Sequence, residues 1–139
     1  MQRLCKSIAS SSSNTQLGLL SSINGNDTEM LHTIFDSSHH LEKILLSNNG
    51  IGSQGATVVA SFISTNPVLK MLDLGDNDLG DNDAVLLSFS LENNTNLEKI
   101  YLGNNNITRL GSQALIEVLF NASSLNSCAV SNHTCNILV

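Results

Sequence analysis

The chain has 139 residues, a formal net charge of -6, 41% hydrophobic and 4% aromatic side chains, and one Pro. An acidic chain without a Lys/Arg cluster binds polyanions poorly, which excludes nucleic acid and anionic membrane surfaces as expected partners. No apolar run reaches the ~18 residues a bilayer span needs and Met1 to Leu20 has no continuous apolar stretch of a secretion signal, so the expected location is cytoplasmic.

Residues 1–13 read as the end of a helix, with Leu4 and Ile8 on one stripe, followed by the serine loop Ser10 to Ser13. From Asn14 the spacing predicts a short strand with Leu17 and Leu19 facing inward. A helix with the stripe Leu31, Ile34 and Phe35 follows. Residues 14–40 thus form one degenerate unit, with Ser22 where the later units carry Asn. The frame then becomes regular: LEKILLSNN from Leu41, LKMLDLGDN from Leu69 and LEKIYLGNN from Leu97, 28 residues apart. A weaker copy, LNSCAVSNH, starts at Leu125. The units expected are 41–68, 69–96 and 97–124, with 125–139 an incomplete last one, all in one domain. Self-similarity at this period means one supersecondary unit stacked on copies of itself.

Each place of the frame LxxLxLxxN has a physical role. Ile44 and Leu46, Leu72 and Leu74, and Ile100 and Leu102 alternate along short strands with one buried face. Asn49, Asn77 and Asn105 follow at one column. A buried Asn is tolerated when its carbonyl and amide are both bonded, and turn backbone in the neighbouring coil supplies the partners, so these three form an expected ladder between units. Ile51, Leu79 and Ile107 anchor the turn. The helical stripes predicted next are Ala56, Val59, Ala60 and Ile63; then Ala84, Leu87 and Leu91; then Leu115, Ile116 and Leu119. Strands stack at ~4.8 Å and packed helices at ~8–10 Å, so the array is expected to curve with its parallel sheet inside and its helices outside.

The pattern LxxLxLxxNxIGxxGAxxVAxxI over residues 41–63 resembles the leucine-rich repeat of the ribonuclease-inhibitor type, and the resemblance extends over 41–124 without an insertion. Arg109 near a helix start and His133 in the ladder column depart from that pattern. The resemblance implies an α/β solenoid and a non-catalytic scaffold that binds a protein partner. Ran GTPase-activating proteins use similar repeats, which makes a regulator of a small GTPase the alternative, with Arg109 the residue to test. A chain that opens inside one unit and ends at Val139 without a closing helix is expected to be a piece of a longer array.

Other motifs are absorbed by this frame. The Asp-rich stretch Asp73 to Asp83 fails as a calcium loop, because Asp81 stands where Gly is required and Leu87 where the bidentate Glu belongs. Gly52 to Gly55 lacks the Lys-Ser/Thr of a phosphate loop. His39 and His40 are an adjacent pair in a loop, and His32 lies in a helix column; neither closes a metal site. Cys128 and Cys135 fall in buried columns as small hydrophobes, and Cys5 leaves the count odd. The five N-x-[ST] sequons, from Asn26, Asn93, Asn106, Asn121 and Asn132, carry no weight without secretion. No nucleophile, base and orienting acid recur together. No catalytic residue, cofactor, metal or small-molecule substrate is expected.

The strand places that face away from the core remain. They hold Lys43, Leu45 and Ser47, then Met71, Asp73 and Gly75, then Lys99, Tyr101 and Gly103. Leu45, Met71 and Tyr101 are apolar or aromatic where the core has no use for them, so the expected site is a shared patch on the concave sheet face.

Overall fold

Alternating apolar residues form strands where one face can be covered, and the described residues do this five times. A computed structural model describes residues 15–92, 94–119 and 136–138. Its strands are β1 (Gln16–Gly18), β2 (Lys43–Leu45), β3 (Met71–Asp73), β4 (Lys99–Tyr101) and β5 (Asn136–Leu138). They pair in parallel, in chain order, within a single sheet. Parallel neighbours need a crossover, and helices supply it. These are α1 (Thr28–Asp36), α2 (Ser53–Ser64), α3 (Asp81–Leu91) and α4 (Arg109–Leu119).

Register puts Leu17, Ile44, Leu72, Ile100 and Ile137 in one row across the sheet. The three central members are wholly buried, as are Leu46, Leu74, Ile51 and Leu79. Against them pack Leu31 and Ile34 of α1, Ala56, Val59 and Ile63 of α2, Ala84, Leu87 and Leu91 of α3, and Leu115 of α4. Each buried Leu or Ile contributes about 1.5–3 kcal/mol of transfer free energy, so this continuous aliphatic layer is the main source of stability.

Two expectations are corrected. Ile116 is half exposed, although its column holds the buried Ala60 and Ser88. That column is covered by the following helix, and none follows α4 among the described residues. The fifth strand also comes later than the 28-residue spacing predicts, since Ile137 rather than Cys128 pairs with Ile100. A β-branched aliphatic side chain suits a half-buried pleat, and Ile137 packs partly buried against the core. The expectations for residues 1–14, for Cys5, His133 and Cys135, for the burial of Cys128, for the sequons at Asn93, Asn121 and Asn132, and for the Leu119 side chain lie outside the described residues.

Side-chain amides tie one coil to the next. Asn77 Oδ1 accepts from the Asn49 and Ile51 N–H groups (3.0 and 2.9 Å), and its Nδ2 donates to the Leu46, Leu74 and Gly75 carbonyls. Asn49 does the same one coil earlier, accepting from Ser22 and Ile23 and donating to Leu19 and Ser47. Asn105 accepts from the Leu79 N–H and donates to the Leu74 and Leu102 carbonyls.

A second connection runs between helix starts. Asp81, the first residue of α3, accepts from the Thr108 N–H (2.7 Å), the Thr108 hydroxyl (2.7 Å) and the Gly111 N–H (3.1 Å). The opening N–H groups of a helix have no intrahelical partner, and here an acid of the preceding coil satisfies two at the start of α4. The Thr108 hydroxyl and the backbone N–H groups of Thr108 and Gly111 hold the Asp81 carboxyl below its ordinary value of 3.8. Folding thus favours the ionised form, so its stabilisation is full above the ordinary carboxylate value and disappears as pH falls through the lower folded one. Asp81→Asn is expected to be less stable than the native chain at pH 7, and acid titration of the two melting curves should narrow the gap progressively as pH falls below ~4. A difference that widens on acidification contradicts this.

Candidate functional site

On the face of the sheet opposite the buried row, side chains fall into two rows set by register. The first runs Gln16, Lys43, Met71, Lys99, and the second Gly18, Leu45, Asp73, Tyr101. Lys43 and Lys99 are exposed, and Leu45, Met71, Asp73 and Tyr101 are half-buried. The strands β2, β3 and β4 position all six, because alternation along a strand sends Ile44, Leu72 and Ile100 inward and both neighbours outward.

The apolar members therefore do not line up as one stripe. Leu45 and Tyr101 share a row with Asp73 between them, while Met71 lies diagonally from both, between two lysines. One Asp73 carboxylate oxygen accepts the Gly75 N–H at 2.9 Å. Ser47 is half-buried and its carbonyl accepts from Asn49 Nδ2. Gly103 has open space where a Cβ would project, so the surface drops away beyond Tyr101.

The Asp-rich stretch is divided among structural roles. Asp81 caps the next helix. Asp83 is buried and accepts from the Gly80 N–H (2.8 Å) and the Ser53 hydroxyl (3.2 Å). Asp76 accepts from Asn104 Nδ2 at 2.9 Å. Asp76 and Asn104 both hold positive φ, as do Ser21 and Asn48, and Asn48 Nδ2 donates to Ser21 Oγ at 2.7 Å. Short polar side chains tolerate this left-handed conformation, so an exposed row accompanies the buried Asn ladder.

Among the described residues no group of three or more His, Cys, Asp or Glu side chains is placed to hold a metal ion. His32, His39 and His40 are exposed, and the His39 ring lies tilted over Phe62 with centroids 5.6 Å apart. Arg109 is exposed at the first position of α4. No helix among the described residues is long and apolar enough to cross a membrane.

Sequence reasoning missed a further set of connecting residues. Asn94 is buried; its Oδ1 accepts from the Asn96 and Leu97 N–H groups, and its Nδ2 donates to the Ile63 carbonyl at 2.9 Å, near the end of α2. Asn96 Nδ2 donates to the Asn66 and Pro67 carbonyls. Helix ends leave carbonyls without partners, so an Asn cluster 29 to 31 residues after the carbonyls at a helix end was the available signal.

A family model described as Leucine Rich repeat matches three successive stretches of the chain, residues 37–60, 65–88 and 93–115. No curated protein matches it.

Proposed function

The chain belongs to the leucine-rich repeat family, and from that premise we propose that it is a protein-binding solenoid that takes its partner on the inner face of the sheet. Repeats of this family suggest a protein–protein interaction module, generally a non-catalytic one. The observation that carries the location is the outward placement of Leu45, Met71 and Tyr101 on three adjacent strands, half-buried on the face opposite the core row. Apolar and aromatic groups gathered on a surface and rimmed by charge are the usual form of an interface centre. Lys43 and Lys99 flank Met71, Asp73 lies between Leu45 and Tyr101, and Ser47 follows Leu45 on the same face.

The repeats are of the ribonuclease-inhibitor-like type, supported by the 28-residue register of β2, β3 and β4 and by helices of 12 and 11 residues between and after them. The units run 14–40, 41–68, 69–96 and 97–124. Within them Asn49, Asn77 and Asn105 couple coils and leave the surface residues to recognition.

The triple change Leu45→Ser, Met71→Ser, Tyr101→Ser tests the location. All three side chains lie outside the buried core, so the variant is expected to keep its far-UV dichroism while its affinity for a native protein partner falls by about a hundredfold or more, as removal of clustered anchors does. Undiminished affinity sinks the proposal.

A further inference from the structure

The chemistry of the partner follows from how charge is distributed over the fold. The chain is acidic overall; among the described residues the four helices carry one arginine, Arg109, and no lysine, and the three lysines, Lys43, Lys70 and Lys99, lie on or beside the strands. Lys43 and Lys99 occupy one row of the inner face with Met71 between them. The row before it, Glu42, Lys70 and Glu98, alternates in sign. Asp73, the acid of the row after it, is held by the Gly75 N–H. The Lys43–Met71–Lys99 row is therefore a cation, an apolar group and a cation at even spacing.

That spacing matches one secondary structure. Neighbouring strands are ~4.8 Å apart, so Met71 and Lys99 stand ~4.8 and ~9.6 Å from Lys43 along the row. Along an α-helix, residues i+3 or i+4 rise ~4.5–6 Å and residue i+7 rises ~10.5 Å, all on one face. Resting on the proposed inner-face site, we infer that the partner presents an acidic amphipathic α-helix lying across the strands. Carboxylates at i and i+7 meet Lys43 and Lys99, and an apolar residue at i+3 or i+4 meets Met71. Leu45 and Tyr101 in the adjacent row flank the helix with further apolar surface, and the open ground beyond Tyr101 at Gly103 leaves room for its width. A second copy of this chain is a poorer occupant: α1 sets the exposed Glu29 and Asp36 seven residues apart but with His32 and Thr33 between them, α2 has no acid, and the exposed apolar residues of α3 and α4, Val85, Phe89, Leu110 and Ile116, lie without an i, i+7 acid pair.

The test uses the full chain and three synthetic peptides of about 18 residues, long enough for a helix of five turns. One has Glu at i and i+7 with Leu at i+3 and i+4. The second replaces the Glu pair with Lys. The third keeps the first composition with a central Pro that breaks the helix. Fluorescence anisotropy should show the Glu peptide binding at least about tenfold tighter than either other peptide. The double variant Lys43→Glu, Lys99→Glu should reverse the order of the Glu and Lys peptides. Both side chains are exposed, and an unchanged melting curve checks that the variant is folded. No detectable binding of the Glu peptide, an order that the charge reversal leaves alone, or equal binding of the Pro peptide overturns the inference. The Leu45→Ser, Met71→Ser, Tyr101→Ser variant separates the two claims. If it abolishes binding while the charge reversal has no effect, the acidic helix is wrong and the inner face stands; if neither set of changes matters, both fall.

Discussion

Replacing Asn77 by Ala is expected to lower the unfolding free energy by about 4 kcal/mol, from a total that for a domain of this size is only about 5–15. Asn77 is 6% exposed and bonds five backbone groups. Its loss leaves the N–H groups of Asn49 and Ile51 and the carbonyls of Leu46, Leu74 and Gly75 with fewer partners in a site closed to water. Each buried group left unpaired costs about 1–3 kcal/mol, and partial rescue by relaxation brings the sum down to the figure given. The damage is not confined to one unit, because the bonds cross from the coil of β3 to the coil of β2 and repeats are stabilised chiefly through such nearest-neighbour terms. Urea titration should show the midpoint falling by about 2 M at a typical slope of ~2 kcal/mol/M. Asn105 is only half-buried, so the same change there should be milder. A shift at Asn77 worth less than about 1 kcal/mol contradicts the ladder as a main coupling between coils.

The second large effect comes from a substitution that local propensity says should help. Gly55 lies in the first turn of α2, and Gly→Ala in an open helix gains about 1 kcal/mol. Here a Cβ at Gly55 runs into the Gly25 carbonyl oxygen and meets Ile51 Cγ2 at 2.8 Å and Leu31 Cδ1 at 3.2 Å. The nearest of these is backbone of the preceding coil, which cannot swing aside as a flexible side-chain tip can. The helix must back away from its neighbour, opening the layer that Leu31, Ile51 and Ala56 fill. Gly55→Ala is therefore expected to destabilise by about 3 kcal/mol, the overpacking cost outweighing the propensity gain. Thermal unfolding reads this as a fall in Tm of about ten degrees, at about 3–4 degrees per kcal/mol for a domain of this size. A melting temperature that rises would show that the coils are less closely packed than Gly25 and Gly55 require.

Much of this architecture was legible in the residues. The first four strands, their order, the buried row of Ile44, Leu72 and Ile100, and the stripes on α2 and α3 follow from alternation and helical spacing alone. What the spacing could not show is which columns depend on a neighbour. Ile116 has the same place in its unit as Ala60, and its exposure is decided by whether another helix lies beside it. Pairing is also a choice between competing segments, and near the end of the chain Ile137 occupies a place that counting assigned to Cys128. The Asp81 cap joins residues 27 to 30 positions apart in different coils, so no local motif announces it.

The inner face was legible residue by residue but not in arrangement. Lys43, Leu45, Met71, Asp73, Lys99 and Tyr101 could each be assigned to the outward side from strand alternation. Their grouping into a Lys–Met–Lys row and a Leu–Asp–Tyr row needs the strand register, which the 28-residue spacing supplies only if no coil slips. Sequence reading treated Leu45, Met71 and Tyr101 as one cluster. Register separates Met71 from the other two by a diagonal step, and the lysine pair on either side of it becomes visible only then.

A photo-crosslinking amino acid placed at Met71, and separately at the exposed Ser61 on the outer side of α2, tests the proposed function most directly. Each version is irradiated in extract of the cells that make the protein, with and without excess unlabelled chain as competitor. The expected result is a discrete protein adduct from position 71 that the competitor suppresses, and none from position 61. A competed adduct from position 61 with nothing from position 71 would place the partner on the helices and contradict the inner-face reading.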